Sequence, residues 1–171
     1  AGEDFYLLNK LAKLTPINCL SGECIRLQSR ASARVPFGTG PATDNIIAGG
    51  RGDDTPVFYH PQSFEALRAV LATVDTLRQL PLEQLPKLLL AQGLSPELCQ
   101  ASDRALGAMA ISTAIAHCSK QSRSSSQFRR QFDQWFDGFR TLKFIHAIRE
   151  QGWAMQSISS LGSCAPALFP Q

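Results

Sequence analysis

Two neighbouring carboxylates open the chain. Glu3 and Asp4 precede a run in which Phe5, Leu7, Leu8, Leu11 and Leu14 recur at helical spacing, so the pair falls in the first turn of a short amphipathic helix. Unpaired N–H groups and the helix macrodipole stabilise carboxylates there in any protein, which makes capping one reading. A carboxylate kept ionised beside a substrate pocket can also act as general base toward a hydroxyl, and spacing alone leaves both readings open.

A second stretch of unusual chemistry runs Arg30-Ala31-Ser32-Ala33-Arg34-Val35-Pro36-Phe37-Gly38-Thr39-Gly40. Arg26, Arg30 and Arg34 recur every four residues. Gly38, Thr39 and Gly40 offer backbone N–H groups and a hydroxyl ahead of a helix expected to start at Pro41, an arrangement that could face an anion. The loop is no Walker A motif, since the Lys and the required Gly spacing are missing, and no GxGxxG follows a strand. A turn that seats Phe37 as a packing plug fits the same residues.

The third candidate is Trp135 to His146, where an aromatic stripe carries Arg140, Lys143 and His146. Arg140 and Lys143 lie three residues apart on one side of a helix and could meet phosphate, although solvated charge is the simpler account of them. His60, His117 and His146 have no second His or Cys at ligand spacing, and the five cysteines form no CxxC, so no metal site is assigned. GxSxG is absent, which removes the usual serine nucleophile. Arg51-Gly52-Asp53 spells an adhesion tripeptide, too short to carry weight.

These residues must be positioned by elements that the sequence sketches. After the first helix, Ile17 to Leu20 and Cys24 to Gln28 read as short strands around a turn at Ser21-Gly22. The Gly-rich loop and the turn-rich Gly49 to Asp54 follow. Beyond Pro61 the pattern is helical: Phe64, Leu67, Leu71, Val74 and Leu77 mark one stripe, stopped by Pro81, and Leu82 to Leu90 forms a shorter segment ending at Gly93. Ser95-Pro96 opens an Ala-rich helix expected to reach Cys118. After a polar linker, Ser122 to Gln127, the longest helix is expected to carry Phe128, Phe132, Trp135, Phe136, Phe139, Leu142, Ile145 and Ile148 on one face to about Gly152, followed by a loose tail.

Composition narrows the function classes. With 171 residues, 44% hydrophobic and 18% charged, the chain is globular in composition, and its longest small, apolar stretch (105–118) is too short for a membrane span. The net charge of +3 comes from a mildly basic end, six basic against three acidic residues in 121–171. That is too little for nucleic-acid binding, and no reader motif is present. The cysteines read as thiols in a reducing compartment, which sets the expectation of a cytoplasmic protein. The chain opens on Ala1 without a signal-like segment, as a processed product or a piece of something longer would.

The run Ala1-Gly2-Glu3-Asp4-Phe5-Tyr6-Leu7-Leu8-Asn9-Lys10-Leu11 resembles the segment of family 2 glycosyltransferases, of the GT-A fold, in which an acidic pair opens a helix beneath the acceptor site. Arg30 to Gly40 and Phe136-Asp137-Gly138-Phe139-Arg140-Thr141-Leu142-Lys143-Phe144-Ile145-His146 look like stretches of a bacterial subgroup of these enzymes. The resemblance implies an inverting transferase in which Asp4 deprotonates an acceptor hydroxyl as it attacks a nucleotide-activated sugar, with Glu3 orienting acceptor or base. By their residue types Arg30, Arg34, Phe37, Gly38, Thr39 and Gly40 would lie near the donor diphosphate or cover the site, Arg34 and Thr39 foremost. The acceptor would be a glycan or a lipid-linked sugar, the latter with the enzyme peripheral to a membrane.

Such enzymes hold the nucleotide and a divalent cation, Mg²⁺ or Mn²⁺, through an N-terminal half with a DxD motif. This chain has no DxD; Asp53-Asp54 are adjacent, and Asp133 and Asp137 lie four apart. The expectation is therefore a mainly α chain, the C-terminal part of an α/β GT-A enzyme. Residues 1–52 would be the acceptor-side end of the catalytic domain (helix, hairpin, Gly-rich loop) and 53–171 a bundle-like helical region, with the metal ligands upstream and no catalysis by this part alone. The competing expectation is a non-enzymatic helical protein-interaction domain. A transferase part should expose an apolar scar with Asp4 on its margin; a helical module should close its own core with the Phe128 to Ile148 stripe and use Asp4 only as a cap.

Overall fold

A computed structural model describes residues 3–18, 21–22, 30, 39–49, 57–157 and 160–161. The chain divides into two compact units, Ala1–Val57 and Phe58–Gln171. It is mainly α-helical, with one small two-stranded antiparallel sheet among the described residues.

In the first unit, α1 (Glu3–Leu11) and α2 (Thr39–Gly49) are the described elements. α2 starts at Thr39, two residues before the proline expected to open it. Of the expected hairpin, Ile17, Asn18, Ser21 and Gly22 carry no strand, and Cys19, Leu20 and Cys24 to Gln28 lie outside the described residues.

Among the described residues the second unit has the helices α3 (Pro61–Leu77), α4 (Leu85–Ala91, entered through a 3₁₀ turn at Leu82–Gln84), α5 (Pro96–Ala108), α6 (Ile111–Gln121), α7 (Ser125–Trp135) and α8 (Gly138–Glu150). Strands β1 (Val57–Phe58) and β2 (Gln156–Ser157) pair beside them. The starts are set by local chemistry. His60 caps α3, its Nδ1 accepting the Gln62 N–H at 3.2 Å with Pro61 next in line, and Ser95 caps α5, its hydroxyl accepting the Leu98 N–H at 3.3 Å ahead of Pro96. Gly93 (φ 89°) and Gly152 (φ 118°) end α4 and α8 in backbone that side-chain-bearing residues avoid.

α3 packs against α4, α5, α7 and α8, and its buried face overlaps the large-residue stripe only in part. Ser63, Ala66, Ala69, Val70, Thr73, Val74 and Leu77 are buried, Leu67 and Leu71 are partly buried, and Phe64 is 49% exposed. Small residues let neighbouring backbones approach, so they take the interior face and the bulkier side chains move to its flank. Ala101, Ser102 and Ala105 do the same on α5.

Two long helices expected from the sequence are each broken in two. The first turns at Met109 and Ala110, where Ala110 adopts the left-handed conformation (φ 58°, ψ 46°). The turn re-phases the chain: α5 buries Ala101, Ala105 and Leu106, and α6 buries Ile111, Ala114 and Cys118 and packs on α7. A continuous helix would have carried the inward face from Ala105 onto the exposed Ser112.

The second break falls at Phe136 and Asp137. Asp137 caps α8 by accepting the Arg140 N–H at 3.2 Å, and Phe136 stacks on Phe132 at 5.8 Å and meets Phe144 edge-on at 6.2 Å. Re-phasing again corrects the single stripe: Phe144, Ile145 and Ile148 point inward, whereas Phe139 and Leu142 are 39% and 41% exposed. Arg140 closes the joint, donating to the Trp135 carbonyl at 2.6 Å with its guanidinium 5.0 Å from the indole centroid. Phe128, Phe132, Phe144 and Ile148 are fully buried, so this unit closes its own core.

Candidate functional site

Asp4 lies in the first turn of α1 and is exposed. Glu3 opens the same helix. The helix that carries them leaves a large apolar surface to solvent: Leu7 is 57% exposed, Leu8 47%, Leu11 40% and Leu14 84%, beside exposed Phe5 and Tyr6. Leu7 and Leu11 lie on one side of the helix and Leu8 on the next, so the exposed surface is more than a single stripe. The helix is prolonged by turns, with the Ala12 N–H donating to the Leu8 carbonyl at 2.9 Å and the Thr15 N–H to the Leu11 carbonyl at 3.0 Å.

Of the loop residues singled out by type, Arg30 is exposed and in no regular element. Arg34, Phe37 and Gly38 lie outside the described residues. Thr39 and Gly40 form the first turn of α2, with Gly40 half-buried. Among the described residues no hydrogen bond or ion pair joins Asp4 to Arg30.

The second unit gives several of its polar residues structural partners. His60 is a helix cap, and His146 Nε2 shares a 2.7 Å hydrogen bond with the Tyr59 hydroxyl. The Trp153 indole N–H donates to Gln62 Oε1 at 2.7 Å. Gln151 gathers Arg104 Nε and the carbonyls of Ala101 and Ala147 at 2.7 to 3.1 Å, joining α5 to the end of α8. Arg140, considered above for phosphate, is committed to Trp135, while Lys143 remains exposed. Burial is the main cause pushing the Cys99 and Cys118 thiols above their ordinary value, so both stay neutral.

Sequence reasoning missed a cleft of about 300 Å³ between α6 and α7. His117, Cys118 and Gln121 face Gln131, Gln134 and Trp135 across it. The residues were visible in the sequence, but their meeting depends on the turn at Ala110, which only the isolated Gly107 signals, and weakly. Among the described residues no group of three or more His, Cys, Asp or Glu side chains could hold a metal ion. No described helix is long and apolar enough to cross a membrane. No protein-family model matches the chain, and neither a curated protein nor a solved structure matches it.

Proposed function

We propose that this chain is the acceptor-side and C-terminal helical part of an inverting family 2 glycosyltransferase. The observation that carries the reading is α1, a helix with exposed leucines on more than one side and Asp4 in its first turn. A helix apolar around much of its circumference is normally covered on those sides, and a donor-binding half packed over it would provide the cover. The second unit needs no such cover, as an appended helical region should not.

On this reading Asp4 is the general base. The acceptor hydroxyl gives its proton to the Asp4 carboxylate as its oxygen bonds to the anomeric carbon from the face opposite the diphosphate. The bond from that carbon to the diphosphate oxygen breaks, the nucleoside diphosphate leaves, and the anomeric configuration inverts. The step requires a carboxylate within hydrogen-bond reach of the acceptor hydroxyl. Glu3 orients acceptor or base, and Arg30, Arg34 and Thr39 serve the departing diphosphate. A Mg²⁺ or Mn²⁺ ion would help neutralise that leaving group; its ligands belong to the donor-binding half.

The test uses the product of the complete reading frame. It should transfer or hydrolyse sugar from one of a panel of nucleotide sugars, and Asp4→Asn should lower turnover by about 10²-fold or more with the melting temperature unchanged. Retained activity in Asp4→Asn removes Asp4 as the base, and no turnover with any donor overturns the reading. The second reading, a helical interaction module, is favoured by the self-closed core and by the exposed apolar side chains Phe64 of α3 and Phe139 and Leu142 of α8. It takes precedence if the complete protein binds no nucleotide sugar.

A further inference from the structure

We infer that the joint at Met109 and Ala110 is a hinge for exchange with a second copy of this chain: α5 and α6 fuse into one continuous helix, and the segment from α6 to β2 of each copy completes the core of the other. This goes beyond the transferase reading and does not rest on it, because α1 takes no part.

The turn is short and held against backbone preference. Met109 and Ala110 alone separate α5 from α6, and Ala110 sits at φ 58°, ψ 46°, in the left-handed region that residues with a Cβ avoid. No side chain caps α6 in return. The local sequence prefers the alternative. From Glu97 to Gln121 there is no proline and Gly107 is the one glycine, so a helix running on through Met109 and Ala110 meets no breaker. A short, strained connection of this kind is where exchange between copies opens.

The contacts decide what moves together. α6 packs chiefly on α7, which travels with it, and less on α5. α7 and α8 pack across the divide, on α3 and α5. The pairing of β1 with β2, the bonds of Tyr59 to His146 and of Gln62 to Trp153, and the Arg129 contacts with Asp75 and the Leu71 carbonyl cross it too. All of these re-form with a second copy, and the smaller α5–α6 contact is what the exchange gives up.

The phase of the two helices suits the fused form. On a continuous helix the Ile111, Ala114 and Cys118 side lies about half a turn from the Leu98, Ala101 and Ala105 side. That points α7 and α8 away from their own α3 and toward a second copy.

The test refolds the chain of residues 1–171 from urea at high concentration and separates monomer from dimer by size exclusion with light scattering. A dimer should form. Ala110→Gly frees the turn and weakens the fused helix in both chains, so the dimerisation constant should fall about 10³-fold. Ala110 is exposed, and Ala110→Val, whose branched side chain is far worse in a left-handed turn than in a helix, should raise the dimer fraction. Should Ala110→Val not fold, the natural chain against Ala110→Gly carries the comparison. In dimers refolded from isotope-labelled and unlabelled chains mixed equally, the filtered NOE between the Trp153 indole N–H and the Gln62 side chain should pass from one chain to the other. No dimer from the natural chain or Ala110→Val, a dimer equally stable in Ala110→Gly, or a Trp153–Gln62 NOE confined to one chain would each overturn the inference; the last two are the result expected of association through the exposed leucines of α1. No nucleotide sugar is involved, so failure here leaves the transferase reading untouched.

Discussion

Phe132 and Phe139 are seven residues apart on what the sequence presents as one continuous aromatic stripe, and the break at Phe136 and Asp137 gives them opposite surroundings. Phe132 is fully buried, with ring contacts to Trp135 at 5.5 Å and Phe136 at 5.8 Å; Phe139 is 39% exposed. Truncating a fully buried Phe to Ala costs about 3–5 kcal/mol, from lost transfer energy and the cavity left behind, and the aromatic contacts place Phe132→Ala near the upper end, about 4 kcal/mol. At Phe139 a good part of the ring is already in water and the gap opens to solvent, so the cavity contribution vanishes and about 1–1.5 kcal/mol remains. Urea melts followed by tryptophan fluorescence suit the comparison, since Trp135 and Trp153 both lie in the second unit. With a urea dependence of about 1.3 kcal/mol per molar, Phe132→Ala should lower the midpoint by about 3 M and Phe139→Ala by about 1 M. Equal midpoints for the two variants would mean that one unbroken helix buries both rings, and the assignment of a capped joint at Asp137 would fall.

Ala110→Gly should raise stability by about 0.5–1 kcal/mol, because a left-handed alanine costs more than the extra freedom glycine has in the unfolded chain; a loss in thermal melts would remove the turn. Ser95→Ala should cost about 1 kcal/mol through the lost α5 cap, read in the same urea melts. The Glu97 carboxyl is held below its ordinary value of 4.5 first by a backbone N–H and then by the Ser95 hydroxyl. A depressed folded-state value contributes stability that is present above pH 4.5 and lost as pH falls through the lower folded value, so Glu97→Gln should flatten the stability profile on the acid side only. Cys99 and Cys118, buried and neutral, should resist a thiol reagent at pH 8 in the folded chain and react once urea unfolds it; rapid labelling of either in native buffer would contradict their burial.

What the sequence disclosed and what it concealed have separate physical causes. Ser95-Pro96 and the glycines at 93 and 152 act through their own backbone and nearest neighbours, so the helix ends they set are readable from a few letters. Phe64, at the head of the α3 stripe, is half exposed while Ser63 and Ala66 are buried, because the interior of α3 is chosen by how closely other helices can approach and not by hydrophobicity alone. The turn at Ala110 has only a weak local signal, Gly107, whose carbonyl accepts the Ala110 N–H. It follows from the need of Ile111, Ala114 and Cys118 to face α7, and only that long-range demand brings Gln121 opposite Gln131. Asp4 shows the opposite limit. Its place in a first helical turn was legible from spacing, but a cap and a base share that place, and the difference lies in what covers Leu7, Leu8 and Leu11. The test of the proposed transferase reading therefore lies in the exposed face of α1 more than in the carboxylate itself: on that proposal a donor-binding half covering Leu7, Leu8 and Leu11 would put Asp4 at a buried margin, where its carboxylate could meet an acceptor hydroxyl away from bulk water.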